Sequence, residues 1–172
     1  MPYRLKWLCA PKGAGFLRVR AEHQDRIDGP IVGWGHEGGG TFRTRVERQG
    51  TDDLSAYLAV PDAIDFQAER DWNDVRARCC ALAREARDEL CELLGTEPIA
   101  PAEMLLQMAS VAVPPCDGEE LQRRLFDEHR IEIPVMRRER LLRISVAAYT
   151  GREDVERLLD ALPRLLRTSR NR

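Results

Sequence analysis

The chain has 172 residues, of which 43% are hydrophobic and 33% charged, and its net charge is -2. This composition is typical of a globular protein that buries its own core. The near-neutral charge gives no overall electrostatic case for binding nucleic acid or a membrane surface. The sequence shows no signal-peptide pattern and no apolar run long enough to span a bilayer, so we expect a cytoplasmic location.

The cysteines predict no metal or disulfide site. They are odd in number and contain no C-x-x-C pair, which argues against both a zinc site and a disulfide framework. We therefore expect packed or unreactive thiols in a reducing compartment. The five cysteines are Cys9, Cys79, Cys80, Cys91 and Cys116.

Lysine is rare in this chain. Of the 27 Lys and Arg residues only Lys6 and Lys12 are lysine, and both lie in residues 5–17, LKWLCAPKGAGFL. An Arg guanidinium stays protonated, whereas a Lys amine can form a Schiff base with a carbonyl. The alternative is that two lysines persist by chance in an Arg-rich chain, and composition alone leaves both interpretations open.

The first part of the chain predicts mostly loops with one strand. A tight turn at 11–15 precedes a predicted strand over Phe16–Arg20. Residues 21–50 are rich in glycine, including the run 38–40, but carry neither G-x-G-x-x-G nor a Walker pattern. This argues against a phosphate-binding loop of either kind.

The next segment predicts helices. Thr51 is the predicted N-cap of a helix whose positive end is matched by Asp52 and Asp53, and Pro61 predicts a bend or interruption. Apolar residues at helical spacing then predict a long helix from about Asp71 to Leu94, ended by Gly95.

The remainder predicts a small α+β unit after a linker marked by Pro98 and Pro101. Its predicted elements are a strand over 105–113, a helix opened by a capping box at 117–120, an edge strand over 131–135, a strand over 142–146 and a final helix opened by a capping box at 150–153. The alternation in 142–146 places Arg143 and Ser145 together on the face opposite the apolar residues.

Four segments in order resemble the class V, fold type I family of pyridoxal-phosphate-dependent enzymes, most closely its isopenicillin N epimerase-like branch. Residues 6–13, KWLCAPKG, resemble the family's Lys-Trp-Leu-x-x-Pro-Lys-Gly segment. Residues 50–61, GTDDLSAYLAVP, look like its Gly-Thr-Arg-Asp segment and following helix. Residues 131–135, IEIPV, and then 142–149, LRISVAAY, look like its C-terminal signature.

The resemblance implies specific roles. Lys6 would form the Schiff base with pyridoxal 5'-phosphate and shuttle the α-proton of the substrate. Gly50 and Thr51 would bind the cofactor phosphate, in this family commonly that of a neighbouring subunit, and Arg143 would hold the α-carboxylate of an amino-acid substrate. The implied reaction is of epimerase or aminotransferase type, in a homodimer or with a complementing chain.

The resemblance also implies the fold class and the domains. The class would be α/β, with an α+β C-terminal part. Residues 1–70 would be a remnant of the cofactor-binding large domain, 71–97 a long connecting helix, and 98–172 a small C-terminal α+β domain.

The sequence departs from the family pattern in several places. Leu5 stands where the family usually has His before the lysine, and Asp52 stands where it has Arg. The match covers roughly the second half of a family enzyme, so we expect a truncated or split enzyme that does not turn over substrate unaided. The alternative is a noncatalytic remnant or a dimerisation or complementation module.

A cysteine desulfurase is a weaker alternative. Enzymes of that kind need a nucleophilic Cys on a loop of the small domain, and in one branch it follows the strand equivalent to 131–135. Residues 136–138, MRR, occupy that place here. Cys116 instead precedes a predicted helix in a Pro-Pro-Cys-Asp turn, so we expect no release of sulfide from cysteine.

Overall fold

The computed structural model describes residues 5–48, 50–136, 138 and 140–169, without the side chains of residues 5, 6, 168 and 169. The chain divides into two compact units, residues 1–70 and 71–172. It combines helices with a small sheet, which confirms the expected mixed class. The proposed division at 70 and 97 into three parts stays a prediction.

The first unit is built from short helices and turns. Its helices are α1 (Leu5–Leu8), α2 (Ala21–Gln24), α3 (Phe42–Glu47), α4 (Ser55–Leu58) and α5 (Val60–Ala68), with a 3-10 turn at Trp34–His36. Ala14 and Ala63 are the buried hydrophobic residues among those described in this unit. Such small side chains bury little apolar area, so most of the unit's large apolar side chains lie at its surface.

Two sequence predictions in this unit are wrong. Residues 16–20 form no strand, and Phe16 and Leu17 are exposed, because the described residues of this unit include no strand that could complete a ladder with them. Thr51 is not an N-cap, since α4 begins only at Ser55 and the Asp53 carboxylate accepts from the Ser55 N–H at 2.9 Å. The predicted interruption is present but lies at Ala59, between α4 and α5, and Pro61 falls in the first turn of α5.

The second unit packs three helices on one face of a three-stranded sheet. Its elements are α6 (Trp72–Leu94), β1 (Met108–Ala112), α7 (Gly118–His129), β2 (Val135–Met136), β3 (Leu141–Ser145) and α8 (Arg152–Ser169), with a 3-10 turn at Ala102–Met104. The strand order is β1-β3-β2 and both pairings are antiparallel. The largest fully buried side chains are Leu90, Leu121, Leu125, Leu142, Leu162, Leu165 and Val111.

The ends of the long helices follow the predicted signals in part. Gly95 ends α6 with φ 64°, as predicted, and the Asp117 carboxylate caps α7. The second predicted capping box is wrong in detail. Thr150 Oγ1 accepts from the Ala147 N–H at 3.1 Å, and the side chain that reaches back to the start of α8 is Asp154, which accepts from the Gly151 N–H at 3.0 Å.

The predicted edge strand over 131–135 is also wrong in extent, because β2 holds only Val135 and Met136. The Ile131 N–H bonds to the Leu125 carbonyl at the end of α7, and Pro134 has no N–H to donate. Among the described residues, no helix combines the length and the apolar character that crossing a bilayer requires.

Candidate functional site

Lys6 lies in α1, and its side chain is outside the described residues. The helix itself is tied to α5, because the Gln67 side-chain amide donates to the Trp7 carbonyl at 2.6 Å. Gln67 is buried, so this bond fixes the backbone next to Lys6 from within the unit. Lys12, the other lysine, is exposed in the turn that follows.

Gly50 and Thr51 lie in an exposed bend before α4. Gly50 has φ 150°, in a region that favours glycine. The neighbouring carboxylates are engaged locally, as Asp52 accepts from the Asp53 N–H at 2.8 Å and Asp53 from Ser55. Because these two negative charges directly follow the bend, the side chains here do not fit a phosphate.

Arg143 occupies the middle of β3, the central strand of the sheet. Burial alternates along β3, with Leu142 and Ile144 in the core and Arg143 and Ser145 half-buried on the opposite face, as the sequence predicts. Among the residues that the structure describes in the three strands, Arg143 is the single ionisable one. The open face of the sheet therefore presents one positive charge among small and apolar side chains.

The Arg143 guanidinium carries an unsatisfied donor. Its Nε is buried and has no hydrogen-bond partner among the described residues. A buried donor left without a partner costs about 1–3 kcal/mol, so such groups call for an explanation. The planar fork of Arg matches a carboxylate in a bidentate pair, which makes Arg143 a candidate carboxylate-binding residue. Arg143 therefore suits an anionic ligand better than residues 50–53 do, because Asp52 and Asp53 carry negative charge there.

One polar residue beside Arg143 is not indicated by the sequence. Ser110, in β1, stands directly opposite Arg143 in the ladder and is half-buried on the same face. The sequence indicates neither the register of β1 against β3 nor this pairing, since pairing is a property of two distant segments. The alternation of apolar residues in 109–113 is the available signal, and it gives only the face.

The described side chains show no metal centre, because no group of three or more His, Cys, Asp or Glu among them could hold an ion. Cys116 is half-buried in the turn before α7. Burial first, and then the Asp117 carboxylate, raise the pKa of the Cys116 thiol. A raised pKa keeps the thiol protonated, which disfavours a nucleophilic role.

The curated proteins to which this chain is similar include isopenicillin N epimerase from Amycolatopsis lactamdurans. It is 39% identical over 178 residues, which cover 93% of this chain and 45% of that protein. The chain thus spans just under half the length of this relative. No family model matches the chain.

Solved structures with the same fold include a cysteine desulfurase from Thermococcus onnurineus NA1, with a TM-score of 0.72 and 19% identity over 94% of this chain and 45% of that one. A C-DES variant with glycine covalently linked to its PLP cofactor has a TM-score of 0.66 and 18% identity, over 92% of this chain and 43% of that one. At such low identity these likenesses concern the fold alone. Fold and sequence agree, and both support the similarity of this chain to part of the class V, fold type I family of pyridoxal-phosphate-dependent aminotransferases.

Proposed function

We propose that this chain is the C-terminal portion of a pyridoxal-phosphate-dependent enzyme that acts on an amino acid by epimerisation or transamination. The observation that carries the proposal is Arg143, whose buried Nε has no partner among the described residues, in a sheet whose described strand residues include no other ionisable side chain. A guanidinium in that position is suited to the α-carboxylate of an amino acid. When bound, pyridoxal phosphate supplies an electron sink for the α-carbon.

Lys6 is the residue proposed to hold the cofactor. Its Nζ would form the Schiff base and later carry the proton of the substrate α-carbon. Two facts support this role: lysine is almost absent from a chain that uses Arg elsewhere, and residues 6–13 match the family segment. The Gln67 bond to the Trp7 carbonyl would keep the backbone of Lys6 in place.

Gly50 and Thr51 are proposed to contribute only backbone N–H groups to the cofactor phosphate. The Asp52 and Asp53 carboxylates oppose an anion there, and Asp52 replaces the Arg of the family pattern. We therefore expect the phosphate to be held mainly by groups from another polypeptide segment, with residues 50–51 as a minor contact.

A polypeptide partner is proposed for the first unit, either a second copy or a complementing chain. Its described residues bury little apolar side chain and expose much, which favours association. Large apolar side chains that are more than half exposed in this unit are Phe16, Leu17, Ile31, Val32, Trp34, Leu54, Leu58 and Ile64. The same observation favours the second candidate function, a noncatalytic module of this fold. The dimeric state and the cytoplasmic location stay predictions.

The test uses the two lysines. The full chain is mixed with pyridoxal phosphate, its visible absorbance recorded, the imine reduced with borohydride, and the modified peptide mapped by mass spectrometry. We expect label on Lys6, loss of the absorbance band in Lys6→Ala, and its retention in Lys12→Ala. Label on Lys12 alone, or no label, contradicts the proposal, and no label together with a stable dimer by light scattering favours the noncatalytic module.

A further inference from the structure

Ser110 and Arg143 form the type of antiparallel pair in which the two side chains lie closest together. The Val146 N–H donates to the Gln107 carbonyl at 2.8 Å, just beyond the end of the β1–β3 ladder. Hydrogen-bonded and non-hydrogen-bonded pairs alternate along an antiparallel ladder. Ser110 and Arg143 stand three pairs further on, so they form a non-hydrogen-bonded pair, with Cα atoms about 4.5 Å apart and side chains at their closest.

The Ser110 hydroxyl is available to a ligand. The side chain is half-buried on the open face, and no hydrogen bond between described residues uses its hydroxyl. A carboxylate has about four acceptor sites, and a single Arg fork fills only two of them. The Ser110 hydroxyl, at the closest cross-strand position, is placed to donate to a third acceptor site of the carboxylate.

We infer that Ser110 is a second carboxylate-binding residue, which donates its hydroxyl proton to the substrate carboxylate held by Arg143. The inference rests on the carboxylate role given to Arg143 in the proposed function. It makes recognition depend on two strands, since β3 supplies the charge and β1 supplies the hydroxyl. The substrate class is an amino acid with a free α-carboxylate, and the same molecule with that group converted to an amide is excluded.

Ser145 provides a matched control. It has the same side chain and lies on the same face, but it stands opposite Met108. Two residues along a strand correspond to about 6.7 Å. Removing its hydroxyl changes the polarity of the face without touching the cross-strand position of Arg143.

The experiment follows the Arg143 Nε–H resonance by NMR in the full 15N-labelled chain, without cofactor. The resonance is assigned by its absence in Arg143→Lys. L-alanine is the titrant, and L-alaninamide is the control that lacks the carboxylate. We expect a saturable shift with alanine and none with alaninamide. Ser110→Ala is expected to raise the Kd for alanine about tenfold, the loss of one hydrogen bond to a charged group. Ser110→Thr and Ser145→Ala are expected to stay within about twofold of the parent chain.

Three other outcomes of the titration contradict the inference. An unchanged Kd in Ser110→Ala removes the role of Ser110, and an equal loss in Ser145→Ala makes the effect general to the face. A parent chain that does not respond to alanine removes both Ser110 and Arg143 as carboxylate ligands. The borohydride labelling of Lys6 involves neither residue, so its failure beside a Ser110-dependent titration removes only the cofactor assignment.

Discussion

The guanidinium of Arg152 forms a bidentate pair with the carboxylate of Glu89, with an Nη2–Oε2 distance of 2.7 Å. The pair joins the first turn of α8 to α6. Arg152 Nε also donates to Glu156 in its own helix at 3.2 Å. The hydrogen bonds from Arg152 hold the pKa of Glu89 below its ordinary value.

The first prediction concerns the pH dependence of this pair. Because the folded-state pKa of Glu89 lies below its ordinary value of 4.5, the pair stabilises the fold above that pH and loses its effect as the pH falls through the lower folded pKa. Glu89→Gln should therefore lower Tm at neutral pH, and the difference from the parent should vanish in acid. Glu156→Gln is the control, with a smaller effect because that pair lies within one helix. A difference that persists unchanged in acid contradicts the prediction.

The second prediction concerns the cap of α7. Asp117 Oδ1 accepts from the Glu119 N–H at 3.0 Å and from the Glu120 N–H at 3.1 Å. Asp117→Ala leaves both donors without this partner and should lower the free energy of unfolding by about 1 kcal/mol, whereas Asp117→Asn should keep most of it. Urea denaturation of the parent chain and the two variants measures these free energies of unfolding. Equal losses for Ala and Asn would show that charge, and not the cap, matters.

The third prediction concerns Gly95 at the end of α6. Its φ of 64° lets the Thr96 N–H bond to the Cys91 carbonyl at 3.0 Å. A Cβ at this φ is strained, so Gly95→Ala should destabilise the fold by about 1 kcal/mol. Gly95→Asn should cost less, because Asn tolerates this conformation better. Thermal melts followed by helical circular dichroism compare the variants, and an Ala variant as stable as the parent refutes the assignment.

The fourth prediction separates binding from stability at Arg143. Arg143→Leu removes a buried donor that has no partner among the described residues, so the free energy of unfolding should stay unchanged or rise by about 1 kcal/mol. In the parent chain we expect added alanine to slow hydrogen exchange of the β3 amides. In Arg143→Leu we expect alanine to have no such effect. Ile144→Ala, which cuts into the core beside it, should instead destabilise by about 2–4 kcal/mol. A destabilised Arg143→Leu would indicate a structural role.

Much of the second unit is predictable from local signals. The helix α6 follows from apolar residues at helical spacing and a terminal Gly95, and the start of α7 follows from Asp117. The faces of β3 follow from the alternation of apolar and polar residues in 142–146. In each case the sequence signal and the physical cause are local, so no distant partner has to be known.

The predictions that were wrong, and the pairing that was missed, depend on residues outside the segment in question. Residues 16–20 alternate like a strand, but a strand needs a neighbour to accept its hydrogen bonds, and alternation does not supply one. Thr51 has the chemistry of an N-cap, yet Asp53 stands closer to the helix start and serves Ser55 instead. The Ser110–Arg143 pairing depends on a register between segments more than 30 residues apart in the sequence.

The alternation in β1 and β3 also separates two kinds of sequence change. Residues 109, 111, 142 and 144 pack in the core and contribute to the stability of the unit, whereas 110, 143 and 145 lie half-buried on the opposite face. Substitutions on the open face therefore leave the packing of the helices intact. Under the proposed carboxylate role of Arg143, the chemistry of the ligand recognised there would drift through point mutations while the fold stays constant, so a lineage with this domain would acquire a new substrate without first acquiring a new core.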